Sequence, residues 1–510
     1  MVWPGRNGLT TGELPGADDP GRLHPFTLLL GPVTLLRGWL VPFVIAVFLG
    51  RRSEGVLAGL AVVGLGLAGT LAHQFIVFAR LRWWVDHEAF HLRTGLFRVE
   101  NRSIPIDRIH NVDITESPLP RLLGLAEVKV ESAASATTDV TLSYVTRRQA
   151  DAIRGGLAGS RSAAEAGAAE APVDDVVLVH TGTKELLVAG ATANRVGAFA
   201  AGTAAVIGWA LESGMDAESL VERVVDDLRF DVGLAVTVVV VASLVIGWVA
   251  SLVEAQIRFH GFTLVLAGDE ARRSHGLFTR SSGVTPLRRV QTVRVDRPVL
   301  RRVLGYATVV ASTAGSVDKE SRESGVGVMA PILRSHHVAG LVSTVLRRPV
   351  DFETRLEQVS RLAIRRRIIR GSWPIAAMAV PGAWFDPRWP AAAAPAVALV
   401  AVWAWRWHAA MGFGAGSDLL VVRSGVLTRK TWYIPTAKVQ SAALRAGFFQ
   451  RRLGLATVIV DTAAAGDGRV LIPDLPHHRA AEVVETLSTV SAESELAALA
   501  MRPGLSSDGV

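Results

Sequence analysis

Residues Gly425 to Thr462 read GVLTRKTWYIPTAKVQSAALRAGFFQRRLGLATVIVDT, and the skeleton of this stretch occurs three times in the chain. The other copies run from Gly95 to Ser132 and from Gly276 to Ser312. Each opens with a glycine followed by Leu or Val, carries a proline ten residues on (Pro105, Pro286, Pro435), and reaches a second glycine nineteen residues later (Gly124, Gly305, Gly454). The two glycines stand 29 residues apart in all three copies. A spacing kept three times without a gap marks a repeated structural unit, and each copy is expected to fold alike. Function therefore has to be sought in what three such units do together.

At 510 residues the chain has room for several domains, each with its own core. Half of it is hydrophobic, the mean hydropathy is positive, and the apolar residues gather in blocks. That is a membrane-protein composition. Cysteine is absent, so disulfides and thiolate metal sites are excluded. The net charge of +8 comes almost wholly from arginine, which suits a partner with phosphate groups. Beside apolar blocks, anionic membrane lipids are the partner expected, and nucleic acid is not.

A polar, Pro- and Gly-rich leader occupies residues 1–30. No small-x-small cleavage site follows the first apolar run, so the leader is expected to stay on the protein and in the cytoplasm. Residues 31–80 hold two apolar runs, Gly38 to Gly50 and Val56 to Ala72, and read as a transmembrane hairpin. The first run is short against the roughly 20 residues a spanning helix needs, which leaves an interfacial or re-entrant first helix as the alternative. Residues 81–157 hold the first repeat copy, and an Ala-, Gly- and Ser-rich stretch makes 158–183 a flexible linker. A second hairpin is expected over 184–255, with an acidic loop from Glu212 to Asp231, and the second copy over 256–347. A basic juxtamembrane segment at 348–370 leads into a third hairpin over 371–411, closed by Asp386-Pro387-Arg388. The third copy fills 412–488, and 489–510 is expected to be a frayed tail.

Arginines flank the repeat-facing ends of the hairpins (Arg37, Arg80, Arg82, Arg195, Arg258, Arg370, Arg406), while the longest loop on the other side is acidic. By the positive-inside rule the repeat units are cytoplasmic, with the short Arg51-Arg52 loop the one disagreement. Eleven of the thirteen tryptophans lie in or beside the apolar blocks, as an aromatic belt requires.

Within a unit the pattern is strand-like. Trp83 to Val85 and Ala89 to Leu92 flank a turn at Asp86-His87-Glu88, and Val128-Lys129-Val130 and Val458-Ile459-Val460 are short β-branched runs. The prolines suit a strand entry or an edge. The second glycines suit the end of a short turn or helix, where a positive φ is needed. Helices from Arg147 to Leu157, His336 to Leu346 and His477 to Leu487 are expected to close the units, and Asp318 to Ser324 is a polar hairpin insertion in copy two. The fold class is thus membrane α-helical hairpins plus β-rich domains, each domain a small β-sandwich or barrel closed by a C-terminal helix.

Gly95-Leu96-Phe97, Ile104-Pro105-Ile106-Asp107-Arg108-Ile109-His110 and Arg121-Leu122-Leu123-Gly124-Leu125-Ala126-Glu127-Val128 resemble the bacterial pleckstrin-homology-like (PH-like) domain of the membrane-flanked type, found in YdbS and YdbT proteins. The third copy is the most similar, with Ile434-Pro435, Val439-Gln440-Ser441 and Arg451 to Val458, and Lys184 to Gly190 also looks like YdbT-type sequence. The resemblance covers about residues 24 to 488, as three hairpin-plus-domain units in series. It implies a split β-sandwich with a capping helix at the inner membrane surface, a link to envelope defence against antimicrobial peptides, and no catalytic residues to carry over. A related single-hairpin membrane protein, or self-association, is the protein partner it suggests.

Three motifs invite chemistry. His87-Glu88-Ala89-Phe90-His91 has the letters of a zincin motif, which works when a helix puts both histidines on one face. Here the segment reads as strand, where the two rings would stand roughly 13 Å apart, so a zinc metalloprotease is the weakest reading. His336-His337 and His477-His478 head two closing helices where copy one has Arg147-Arg148, an exchange that argues for a polar helix start. Thr181 to Lys184 is an incomplete phosphate-loop pattern. No catalytic, metal or cofactor residue is therefore assigned.

The arginine cluster is more informative. Arg361, Arg365, Arg366, Arg367 and Arg370, interleaved with Leu, Ile and Ala before an apolar span, form an amphipathic basic segment suited to anionic lipid. The plain alternative is a flank that only sets topology. The function expected is that of a non-enzymatic multi-pass plasma-membrane protein presenting three cytoplasmic PH-like domains for lipid or protein binding. A transporter or lipid-handling protein is the alternative.

Overall fold

The computed structural model describes residues 15, 19–27, 56–86, 88–95, 99–106, 109–132, 140–155, 175–193, 232–314, 327–350, 356–464 and 468–500. The first helices expected for hairpins one and two, the acidic loop, the linker over 158–172, the copy-two insertion and His87 lie outside those residues.

In unit 1, helix α1 (Val56–Arg80) leads directly into strands β1 (Arg82–Val85), β2 (Ala89–Thr94) and β3 (Glu100–Pro105), which form one antiparallel sheet. A second sheet follows from β4 (Ile109–Glu116), the short helix α2 (Pro118–Leu122), β5 (Leu125–Ser132) and β6 (Val140–Thr146), and helix α3 at 147–155 closes the unit. Unit 2 repeats the plan. It has β7 (Val176–His180), α4 (Thr183–Ala191), α5 (Val232–Phe259), then β8 (Thr263–Ala267), β9 (Glu270–His275), β10 (Arg280–Pro286), β11 (Val290–Pro298), α6 (Val299–Val303), β12 (Tyr306–Thr313), β13 (Val328–Arg334) and the closing α7 (Ser335–Leu346). Unit 3 has the helix pair α8 (Leu362–Phe385) and α9 (Trp389–Ala410), then β14 (Gly412–Ala415), β15 (Leu419–Ser424), β16 (Thr428–Pro435), β17 (Val439–Arg445), α10 (Phe448–Arg452), β18 (Leu455–Thr462), β19 (Arg469–Pro476) and α11 (His477–Ala500).

The repeated residues sit where the backbone needs them. Gly276 and Gly425 turn the second strand into the third at φ 113° and 97°, and a Cβ on either would lie 2.0 Å from the carbonyl oxygen of Thr279 or Thr428. Gly124, Gly305 and Gly454 follow α2, α6 and α10 with φ of 67°, 74° and 64°, a region open to glycine. The prolines close β3, β10 and β16, so they mark a strand exit where an entry was one of the expectations. There the chain leaves one sheet for the other, in units 2 and 3 through a 3-10 turn at Leu287–Arg289 and Thr436–Lys438. Each proline still faces a partner strand residue (Ala89, Glu270, Leu419), but at the last position of its strand the missing N–H is tolerated.

Each unit has its own apolar centre. Trp83, Phe90, Ile109 and Ile153 fill unit 1; Phe262, Leu264, Val342 and Val345 fill unit 2; Phe413, Ile434, Val458 and Leu487 fill unit 3. Trp83 and Phe413 both precede their opening glycine by twelve residues, so the repeat extends into the core.

The sheets do not stop at the unit boundaries, as separate sandwiches would. β4 of unit 1 pairs with β10 of unit 2, and β11 of unit 2 pairs with β16 of unit 3. The result is a seven-stranded sheet (β6-β5-β4-β10-β9-β8-β7) and a six-stranded one (β13-β12-β11-β16-β15-β14), flanked by β1-β2-β3 and β17-β18-β19. Pairing at the junctions satisfies rows of N–H and C=O groups that a free edge strand leaves open.

Three boundaries expected from the sequence move. The described residues of the leader belong to unit 1: Gly21 bridges to Trp83, Leu23 is buried in the core, and the Val85 N–H donates to the Pro15 carbonyl. The end of the expected linker is β7, which pairs with β8, and Glu357 bridges to Phe413 at the matching place in unit 3. In every unit a short extended segment ahead of the helices therefore pairs with the first strand after them, which anchors both ends of the helical excursion on the β-rich body. The expected C-terminal tail begins as helix, since α11 continues to Ala500.

Candidate functional site

The helices that leave and rejoin the β-rich units set the frame of the site. Among the described residues one stretch, Val240–Phe259 in α5, is long and apolar enough to cross a membrane. The third hairpin is present as a helix pair, α8 and α9, joined at Asp386 to Arg388; rich in Trp, Pro and Arg, it does not reach that hydropathy. Gly371 lets the two helices approach closely, because a Cβ there would lie 2.6 Å from a Val400 methyl. In unit 2 the short α4 runs antiparallel to α5, with Trp248 Nε1 donating to the Ala191 carbonyl and Gln256 Nε2 to the Thr183 carbonyl.

Two apolar tips of the β-rich body reach up beside these helices. The Gly276 turn is held to the end of α5, where its N–H donates to the His260 carbonyl and that of Leu277 to the Ile257 carbonyl. Arg301 of α6 donates to Thr192 Oγ1 and to the Ala189 carbonyl at the far end of α4. Both tips leave large apolar side chains exposed: Leu277 and Phe278 on the turn, Leu300, Val303 and Leu304 at the short helix. Leu427, Phe448 and Phe449 do the same in unit 3, as do Leu119, Leu122 and Leu123 in unit 1.

In unit 3 the helix pair and the Gly425 turn enclose a cleft of about 840 Å³. Arg366, Arg367 and Arg370 line it from α8 and Arg406 from α9, and Leu399, Val402, Trp403, Val426 and Leu427 supply apolar walls. The basic segment expected ahead of the helix is thus the first turns of the helix itself. Helical spacing divides the five predicted arginines: Arg366, Arg367 and Arg370 face the cleft, while Arg361 and Arg365 stand exposed away from its lining. Arg406, expected only as a flank that sets topology, joins the cluster.

The cluster is held in place from the β-rich body. Arg366 Nη2 lies 2.7 Å from Oδ2 of the fully buried Asp474, whose other oxygen accepts from Gln450 Nε2 at 2.8 Å. Arg367 stacks on Trp407, with its guanidinium carbon 3.3 Å from the ring centroid, so an aromatic face fixes its plane. The Nε atoms of both arginines are buried without a hydrogen-bond partner. Among the described residues neither Arg370 nor Arg406 has a carboxylate within ion-pair distance. Several positive charges thus stand beside an apolar wall with one buried carboxylate to balance them, a combination whose chemistry matches that of an anionic group with an apolar tail.

The other motifs resolve differently. His91 lies on β2, 2.7 Å from Asp86 Oδ2 and stacked on Trp84, so it is an element of a strand and its turn. The Asp86 carboxyl, accepting from the Glu88 and Ala89 N–H groups and bonded to His91, is held below its ordinary pKa. His336 and His337 begin α7, with their ring centroids 4.0 Å apart. Among the described residues no group of three His, Asp or Glu is arranged to hold a metal ion.

Paired three-stranded sheets with a closing helix, three times over and each beside a helical excursion, define the class. The bacterial PH domain family matches the chain over residues 32–161, 224–348 and 360–490, and the chain belongs to that family. Its organisation is YdbT-like: the UPF0699 transmembrane protein YdbT of Bacillus subtilis (strain 168) is 22% identical over 372 residues, which takes in 69% of this chain and 74% of that protein. No solved structure matches. Family and relative together place the chain among membrane-associated PH-like proteins.

Proposed function

We propose that the chain is a multi-pass protein of the plasma membrane that presents three PH-like units on the cytoplasmic side and binds anionic phospholipid in the cleft between α8, α9 and the Gly425 turn. The observation that carries this reading is the joint lining of one cleft by Arg366, Arg367, Arg370 and Arg406 with Leu399, Val402, Trp403 and Leu427. Phosphate would meet the guanidinium groups and the acyl chains would follow the apolar wall. The positions of the parts support it: with 22 residues, α9 is about 33 Å long, which suits a hydrocarbon layer of about 30 Å. Exposed Trp373, Trp384 and Trp389 fit the interfacial preference of tryptophan. The apolar tips beside the helices would then dip into the head-group layer.

The action is binding without bond-making. Anionic lipid is also what cationic antimicrobial peptides seek, so a protein that engages it three units at a time could protect the envelope by competition and scaffolding. The test uses the full chain in detergent, with native mass spectrometry counting retained phosphatidylglycerol against phosphatidylcholine. Arg370→Gln and Arg406→Gln leave the Asp474 contact intact, and each is expected to lower retention of the anionic lipid about fivefold, from about 1 kcal/mol per basic group. Equal retention of both lipids by the unmodified chain would refute the proposal.

A further inference from the structure

Among the described strands, β3 ends a sheet of unit 1 and β17 ends a sheet of unit 3. They are the two kinds of edge that meet inside the chain. The first strand of a unit's second sheet takes the third strand of the next unit, as β4 takes β10 and β11 takes β16. Both junctions also keep one register. Asp113 faces Gly283 and Arg294 faces Trp432, and in each pair the eighteenth residue after one opening glycine meets the seventh after the next. β17 is the strand of unit 3 that would take a following unit, and β3 is the strand of unit 1 that would be taken by a preceding one.

We propose that β17 of one copy of this chain pairs antiparallel with β3 of a second copy in this same register, so that the protein associates head to tail in the membrane. The register places Ser441 opposite Ile104, Ala442 opposite Ser103, Leu444 opposite Asn101 and Arg445 opposite Glu100. The last pair sets opposite charges face to face, the favourable arrangement across two strands. On β17, Ser441, Ala443 and Arg445 are exposed and none of its seven residues is proline, so the strand is able to bond along its length. On β3, Arg102 and Ser103 are exposed, whereas Gly283 of β10, at the position of Arg102, and Tyr433 of β16, at the position of Ser103, are buried. Complementary ends on one chain make a heterologous contact, which either closes into a ring or continues as a row. The inference rests on strand register and is independent of lipid binding.

The absence of cysteine makes the test clean. Two single variants of the full chain, Glu100→Cys and Arg445→Cys, are expressed together and apart, and the membranes are oxidised. Directly opposed residues have Cβ atoms about 4.5–5.5 Å apart, within reach of a disulfide after small adjustment. The proposal expects at least a tenfold excess of reducible dimer on co-expression over either variant alone, and a ladder of multimers from the double variant. Asn101→Cys with Leu444→Cys samples the neighbouring pair, whose side chains project from the opposite face of the strands. Dimer no more abundant on co-expression than from single variants, for both pairs, would overturn the proposal. So would a symmetric dimer formed equally well by one variant alone.

Discussion

Arg273 of β9 and Asp113 of β4 form an ion pair across the first junction, Nη2 to Oδ1 at 2.8 Å, with both side chains almost wholly buried. Gly283 makes room for it, since a Cβ there would stand 1.9 Å from the Asp113 oxygen and 2.7 Å from the Arg273 nitrogen. The contact joins residues 160 apart in sequence and ties unit 1 to unit 2. Removing one partner strands a buried charge. Asp113→Ala is therefore expected to destabilise the junction by about 3–5 kcal/mol, while Asp113→Leu combined with Arg273→Met is expected to be far milder. Chemical denaturation of the full chain in detergent, read by tryptophan fluorescence, checks both.

The two glycines of each repeat should respond differently to alanine. Gly305→Ala meets no neighbouring atom within 4 Å and suffers only from its positive φ, about 1–2 kcal/mol. Gly276→Ala adds a collision with the Thr279 carbonyl, so its loss should be clearly larger. The same order is expected for Gly454→Ala and Gly425→Ala. Denaturation midpoints of the four variants give the comparison.

His275 gives unit 2 an acid sensitivity. Burial against Phe259 and Phe262 lowers its pKa from 6.5 to about 4, although Nδ1 bonds the Arg258 carbonyl; the Arg273 charge lowers it further. Its folded value lies below its unfolded one, so the unfolded chain takes up the proton first. Stability is then full above about 6.5 and falls as pH drops towards 4, by up to about 3 kcal/mol. His275→Gln should flatten that part of the stability profile between pH 7 and pH 4.

What the sequence made legible is what recurs locally. The glycines at fixed spacing, the strand-turn-strand at Asp86 and the closing helices all depend on neighbours in the chain, and the structure has them in those places. The inter-unit pairing was not legible, because Asp113 and Arg273 become partners only after two sheets meet, and no local pattern records that. β7 was hidden for a related reason: Val176 to Val179 follows a long stretch of small residues, and its partner β8 lies beyond the whole helical excursion. At the cleft, composition gave the arginines and helical spacing could have divided them. The Gly425 turn and Arg406 join them only through tertiary packing.

Lipid binding at the cleft requires a β-rich body on one side of a bilayer and a helix pair that crosses it. Side-specific labelling tests this directly, because the native chain offers no thiol. Arg388→Cys places one at the turn between α8 and α9, and Glu485→Cys places one at an exposed position of α11. In intact cells a membrane-impermeant maleimide should label the position-388 variant and spare the position-485 variant until the membrane is opened. Labelling of both from the same side would contradict the account.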